Sequence, residues 1–252
     1  MRASKVSMFF LGTIAVLSLS LCAQASPTYV QYNLSVPNGD LGSSSHTYTS
    51  SGYSLPIYGF ETNVAPNLGG GTWNAAGATS TNLFGKFSAG DPGETGLGMT
   101  ADPNSGQHEI WAQASPGSGF QYGFVVLDTS QLQANPNLLY LQIQIGSAQT
   151  HEWFTIWGSN DPNELSGTLL LEGQGGADAQ TPYFDIPNYR DYRYIWVGAT
   201  IEPGSGDDHS NIVLMAQVAF NQNPVPEPGT LGMVGSGVLA LFVTLRKRLG
   251  LG

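Results

Sequence analysis

Leu139-Tyr140-Leu141-Gln142-Ile143-Gln144-Ile145 alternates apolar and polar side chains without a break. Successive side chains of a strand point to opposite faces, so Leu139, Leu141, Ile143 and Ile145 share one face. Tyr140, Gln142 and Gln144 share the other. The spacing predicts a strand buried on one side. Similar runs recur at residues 29–36, 46–60, 82–87, 109–114, 121–127, 152–157, 168–172, 192–200 and 211–220. Each is rich in β-branched and aromatic residues and is bounded by Gly, Pro, Asn or Asp. In the last run Ile212, Leu214, Ala216, Val218 and Phe220 fall on one face. Residues 160–162 and 202–206 read as turns or loops. No sustained 3.6-residue period competes with this pattern, and the glycines are not periodic. About ten short strands with turn signals between them predict an all-β fold, an antiparallel β-sandwich of jelly-roll type.

The strands lie within residues 26–223, a stretch of 198 residues that suffices for one domain with its own core. Its basic residues are Lys86, Arg190 and Arg193, against 17 acidic ones, a net charge of about −14. Phosphate contacts need Lys and Arg, so no nucleic acid partner is expected. An acidic exterior rich in Gly, Ser and Asn suits an extracellular protein kept soluble by charge.

Both ends of the chain read as addresses. Arg2 and Lys5 precede an apolar stretch at residues 6–21, and Ala23-Gln24-Ala25 forms an A-x-A site. This is the pattern of a cleavable signal peptide, residues 1–25, which calls for the Sec translocon and signal peptidase. Cys22 offers a lipoprotein alternative, although Leu21 stands where a small residue is expected. Cleavage after Ala25 removes Cys22, the single cysteine, so the mature chain has no thiol or disulfide chemistry.

At the other end Val225-Pro226-Glu227-Pro228 precedes residues 231–245, which carry no charge and no proline. As a helix those 15 residues would span roughly 22 Å at about 1.5 Å per residue. A bilayer core is about 30 Å thick. Gly229 and Thr230 extend the stretch to 17 residues, giving a short transmembrane helix over 229–245. Arg246, Lys247 and Arg248 then act as a cytoplasmic stop. Gly232, Gly235, Ser236 and Gly237 would let another helix approach closely. Pro226 and Pro228 hold Glu227 in extended backbone, the form a protease reads. This ordered set resembles the PEP-CTERM sorting signal of Gram-negative bacteria, here residues 224–252. The resemblance implies processing at or near residues 226–228 by exosortase, a membrane-embedded cysteine protease-transpeptidase. It further implies export across the inner membrane, a transient membrane anchor, and a final place at the cell surface or in a matrix of extracellular polysaccharide.

A second likeness lies in the domain. Trp153-Phe154-Thr155-Ile156-Trp157-Gly158-Ser159-Asn160, Leu169-Leu170-Leu171, Tyr194-Ile195-Trp196-Val197 and Asn211-Ile212-Val213-Leu214 resemble the C-terminal half of ectodomains common in PEP-CTERM proteins. More loosely they are similar to discoidin-like and carbohydrate-module sandwiches, in which a Gly-Ser-Asn turn follows a central strand. Gly93-Glu94-Thr95-Gly96-Leu97-Gly98 with His108-Glu109-Ile110 resembles the matching N-terminal half. These likenesses imply a β-sandwich and leave its activity open.

The expectation for chemistry is that the protein is not an enzyme. There is no G-x-S-x-G, and His108-Glu109 and His151-Glu152 lack the second histidine of a zinc-protease helix. His46, His108, His151 and His209 read as loop or strand-end residues. Glu109 and Glu152 are the carboxylate pair a glycosidase would need, one pairing among many in an acidic chain. No cofactor is expected beyond a structural calcium, for which three acidic loops offer oxygens: Asp91 with Glu94, Asp161 with Glu164, and Asp207 with Asp208. Solvated turns explain the same residues. Trp153, Trp157 and Trp196 are read as core, and Trp73, in a glycine-rich segment, as an exposed aromatic that could stack on a sugar. Thr47-Tyr48-Thr49 is too short an array for ice binding. The reading is a non-enzymatic surface or matrix protein, structural or adhesive in the exopolysaccharide. Its alternative is a carbohydrate-binding module with a defined glycan site.

Overall fold

The computed structural model describes residues 29–64, 72–73, 78–100, 107–115, 119–136, 138–161, 167–176, 181–201, 209–214 and 219–222. The expected signal peptide, the sorting motif and membrane helix, and Glu164, Asp207 and Asp208 lie outside these residues. Tyr29–Asn221 forms one compact unit.

Its strands are β1 (Tyr29–Val30), β2 (Gly39–Asp40), β3 (Ser45–Ser50), β4 (Tyr53–Thr62), β5 (Thr72–Trp73), β6 (Thr79–Ser80), β7 (Leu83–Lys86), β8 (Gly96–Met99) and β9 (Ile110–Ser115). There follow β10 (Gly119–Asp128), β11 (Leu138–Ile143), β12 (Ile145–Gly146), β13 (Trp153–Ser159), β14 (Gly167–Gln174), β15 (Phe184–Asp185), β16 (Tyr194–Thr200), β17 (His209–Leu214) and β18 (Ala219–Gln222). One helical turn, Ser130–Gln133, and two 3-10 turns, Pro92–Glu94 and Tyr189–Asp191, interrupt them. The all-β antiparallel expectation holds.

Three expected strands divide. Residues 139–145 give β11, which ends at Ile143, and β12, where Ile145 pairs with Leu214 of β17 in a different sheet. Residues 46–60 are a hairpin of β3 and β4 rather than one strand, with Ser50 opposite Tyr53. Ser51 and Gly52 take φ of 52° and 82°, the double left-handed turn that suits the twist of a two-residue hairpin. Residues 211–220 supply β17 to one sheet and β18 to another. The run read as one strand in the sequence therefore contributes to two sheets.

The small sheet has the order β1-β18-β11-β15. In β11, Leu141 and Ile143 are buried and Tyr140 is exposed, as the alternation requires. The other strands belong to one large sheet that folds over on itself. β10 is where it divides. Residues 119–122 of β10 pair with β9 and residues 124–128 pair with β16, while β4 runs along the opposite side. Gly123 sits at the change of partner, where a Cβ would lie 2.2 Å from Met99 Cε. The pairings β4-β10-β9-β17-β8-β7 return to their start, because β6, two residues before β7, pairs with β4.

The central strands β16 and β13 are buried on both faces. One face carries an aromatic layer. Trp157 stands opposite Trp196, Phe60 opposite Phe124, and the Phe60 and Trp196 rings lie 5.3 Å apart. Trp157 and Trp196 are core as expected, and Trp153 is half-buried. On the other face Phe154 meets Phe184 of the small sheet at 5.4 Å.

Candidate functional site

Two polar places stand out on this frame. The first surrounds Lys86 at the end of β7. Its ammonium contacts Glu94, in the Pro92–Glu94 turn, and lies 2.5 Å from Glu109 Oε1, just before β9. Ser147, after β12, completes the group, with its Oγ 2.6 Å from Glu94 Oε1 and 2.7 Å from Glu109 Oε1. Four separate elements thus meet in one network around Lys86. Burial pushes the Glu109 carboxyl up to about 7, against the pull of Lys86 and Ser147. Glu94 also feels burial, but its bonds to Lys86 and Ser147 hold it below the ordinary carboxylate value. Burial likewise works against the Lys86 charge, and Glu109 and Glu94 outweigh it and raise its pKa. A hydroxyl has one proton to donate. Ser147 therefore donates to Glu94 or to Glu109, one at a time. His108 and Ser147 flank this group with φ of 55° and 53°, and the His108 ring stacks on Phe84 at 3.9 Å.

This geometry bears on the expected calcium loop at Asp91 and Glu94. Asp91 Oδ1 accepts the Gly93 amide at 3.0 Å, and Glu94 turns to Lys86. The chain's own ammonium stands where the loop's carboxylate and a second one converge. Among the described residues no group of three His, Cys, Asp or Glu is placed to hold a metal ion. Glu109 has Glu94 as its carboxylate neighbour, while Glu152 accepts the Gln149 amide at 2.6 Å.

The second place is a shallow cleft of about 420 Å³ lined by Gly158, Ser159, Asn160, Asp161, Gly167, Thr168 and Tyr192. Gly158 and Ser159, the last residues of β13, and the bend at Asn160 build it. Asn160 Nδ2 donates to the Asp191 carbonyl at 3.0 Å, and its Oδ1 accepts the Arg193 amide at 2.8 Å. That side chain ties β13 to the Tyr189–Asp191 turn and the approach to β16. The Tyr192 ring covers Gly158 so closely that a Cβ there would lie 2.4 Å from it. β5 pairs along this cleft, with Trp73 opposite Gly167 and Thr72 opposite Thr168. The backbone of Trp73 and the loop of Asp161, two residues singled out for different reasons, therefore lie at one edge of the sheet. Asp161 accepts the Ser159 hydroxyl at its carbonyl, 3.1 Å away.

The histidines sit as expected, near strand ends or in loops: His46 in β3 beside Tyr48, His151 in a turn with φ 77°, and His209 opening β17. Sequence reasoning missed Lys86. The available signal was scarcity: with three cations among 17 acids, each is apt to be held in an internal pair. Arg193 is likewise bound to Asp128, Nη2 to Oδ2 at 3.0 Å.

The antiparallel all-β body defines the cargo, and the C-terminus identifies its route. Residues 224–248 match the PEP-CTERM protein-sorting motif. The chain carries the address of an exported protein sorted by exosortase through a membrane-anchored C-terminus. No curated protein and no solved structure matches it.

Proposed function

We propose that this is a non-enzymatic component of the cell surface or extracellular matrix, structural or adhesive within the exopolysaccharide. In this reading the Sec translocon exports it and signal peptidase cuts after Ala25. The helix at 229–245 then holds it in the inner membrane of a Gram-negative cell, with Arg246, Lys247 and Arg248 inside. Exosortase cuts near residues 226–228 and hands the domain to the surface. The match at residues 224–248 carries the proposal. The non-enzymatic part is supported by the fate of Glu109, whose carboxylate is engaged by Lys86 and Ser147.

Routing and activity are tested separately. Deleting residues 226–228 leaves full-length protein in the membrane, read by intact mass and fractionation. Normal-size protein at the surface from that variant would falsify the routing. For activity, the mature domain is tested on a glycan array with and without chelator, and against purified exopolysaccharide for turnover. Binding to no single glycan, and no turnover, is the expected result for a structural role.

The cleft beside β5 favours a second reading, a carbohydrate-binding module. It joins the Tyr192 ring, Asn160 and Asp161 with the strand that carries Trp73. Asp161 would supply oxygens to a structural calcium there. Saturable binding to one glycan, weakened by Tyr192→Ala and by chelator, identifies this reading.

A further inference from the structure

Two strands at the margins of the large sheet are guarded differently. β14 pairs with β5 at residues 167 and 168. Beyond that point it carries the exposed Glu172, and its register against β13 shifts between Ile156 and Trp157. A charge and a bulge both discourage a free edge from pairing. β3 has neither. Its residues Ser45–Ser50 run in unbroken register against β4 and include no proline, lysine, arginine or carboxylate. Among the described residues β3 pairs with β4 alone.

The hairpin decides which backbone groups face the open edge. Bonded and non-bonded pairs alternate along an antiparallel ladder. With a two-residue turn at Ser51-Gly52, Ser50 and Tyr53 are a bonded pair, and so are Tyr48 with Leu55 and His46 with Ile57. Ser44 follows in the same phase and accepts the Gly59 amide at 2.9 Å. Pro56, opposite Thr47, has no N–H, as a non-bonded position allows. Ser45, Thr47 and Thr49 therefore turn their N–H and C=O groups away from β4, and all three are exposed. The Ser45 amide donates to Ser43 Oγ at 3.2 Å. The Ser45 carbonyl and both backbone groups of Thr47 and Thr49 have no partner among the described residues. An open groove of about 340 Å³, between residues 46–49 and a wall of Tyr32, Asn33 and Val36, leaves this edge accessible.

We propose that β3 is a self-association edge, at which two copies of this chain pair β3 with β3, antiparallel, about a two-fold axis at Thr47. Thr47 then faces Thr47 of the second copy, and Ser45 faces Thr49 in both directions. Each Thr47 amide reaches the other Thr47 carbonyl, and each Thr49 amide reaches a Ser45 carbonyl. Four bonds form between groups that are free in one copy, and hydroxyl side chains stand opposite one another, a favourable cross-strand pairing. Charge favours a second copy over a charged peptide. The domain is strongly acidic, yet no carboxylate lies between Asp40 and Glu61, so the strands that two copies bring together are uncharged. The two-fold contact uses up the edge and closes at a dimer. It rests on strand geometry and not on the structural role proposed above, so either can fail alone.

The mature domain, whose residues 29–221 form one compact unit, is followed by sedimentation between about 1 µM and 1 mM. The apparent mass should rise to twice the monomer's and stop there. Thr47→Pro removes an N–H that β4 does not use and should weaken the dimer about tenfold, since one bond goes from each copy. Thr47→Lys and Thr47→Glu each set like charges face to face and should each leave monomer; mixing the two restores the dimer, because residue 47 meets itself only in this register. Tyr140→Lys, at an exposed position of the small sheet, leaves association unchanged. Amide exchange should slow at Thr47 and Thr49 on dimerisation, and not at His46 or Tyr48. Thermal unfolding verifies that each variant is folded. A wild type that stays monomeric throughout overturns the proposal, as does a folded Thr47→Pro that associates normally or a mixture that stays monomeric. Protection of the Thr47 amide in a monomer on adding exopolysaccharide assigns the edge to a glycan and overturns it equally.

Discussion

Lys86 and Arg193 are the two ion-paired cations of the described domain, and they are placed in opposite ways. The Lys86 side chain is 18% exposed and sits between two carboxylates, one of them, Glu109, only 4% exposed. Arg193 is 52% exposed and reaches back to one buried acid, Asp128, while its guanidinium lies 4.9 Å from the Tyr194 ring centroid. An exposed pair exchanges water for a partner at little net gain. A buried cation holds charges that have nowhere else to turn. Lys86 is therefore a structural requirement of its region, and Arg193 an adjustment of its own.

Replacing Lys86 attacks the larger side of this contrast. Lys86→Met leaves Glu94 and Glu109 facing each other without a cation, and should cost about 3 kcal/mol in urea unfolding at neutral pH. The loss should shrink in acid, where Glu109 takes up a proton. An equal loss for Lys86→Met and Arg193→Ala at pH 7 would dissolve the distinction.

The pH dependence comes next in size. Glu109 has a folded pKa of about 7 against an ordinary value of 4.5, so between these values the folded state holds more protons than the unfolded one. Its contribution to stability therefore falls as pH rises through that window, by at most roughly 3.5 kcal/mol at about 1.4 kcal/mol per pKa unit. Glu94 and Asp128 act in the opposite sense. Burial is outweighed in each by hydrogen bonds, to Lys86 and to Arg193, and both carboxyls are held below their ordinary values. Their contribution is present above the ordinary carboxylate range and is lost as pH falls through the lowered values. Glu109→Gln should flatten the slope between pH 5 and 7 in thermal melts and leave the acid limb in place.

Smaller effects belong to the Arg193 side. Asn160→Ala removes two hydrogen bonds that tie β13 to the Tyr189–Asp191 turn, and should cost about 1–2 kcal/mol by denaturant unfolding. Arg193→Ala should cost less than about 1 kcal/mol, and salt should reduce even that. A larger loss, insensitive to salt, would show that the Arg193 pair works like a buried one.

The same contrast marks what the sequence could convey. Alternation in residues 139–143 foretold β11, because one buried face leaves a period of two, but it ran on unbroken into Ile145, which begins β12 of the large sheet. The hairpin of β3 and β4 escaped because Ser51-Gly52 interrupts a run with β character on both sides, and only backbone with positive φ reverses it. The division of residues 211–220 escaped for another reason: the apolar alternation runs through the sequence without a visible seam between β17 and β18. The buried network was less legible still. Its four members come from β7, a 3-10 turn, the approach to β9 and the end of β12, and only the closed pairing of the large sheet brings them together. The sorting motif was legible in full, since it depends on local order along the chain and on no tertiary contact.

The five tryptophans all fall in strands of the large sheet: Trp73 in β5, Trp111 in β9, Trp153 and Trp157 in β13, and Trp196 in β16. The small sheet has none. Intrinsic fluorescence thus watches one layer and is blind to the other. Buried indoles such as Trp111, Trp157 and Trp196 should emit blue-shifted light that moves to the red when the large sheet opens. Loosening of β1 from β18 would pass unseen in that signal, and would register in amide exchange at the strands themselves.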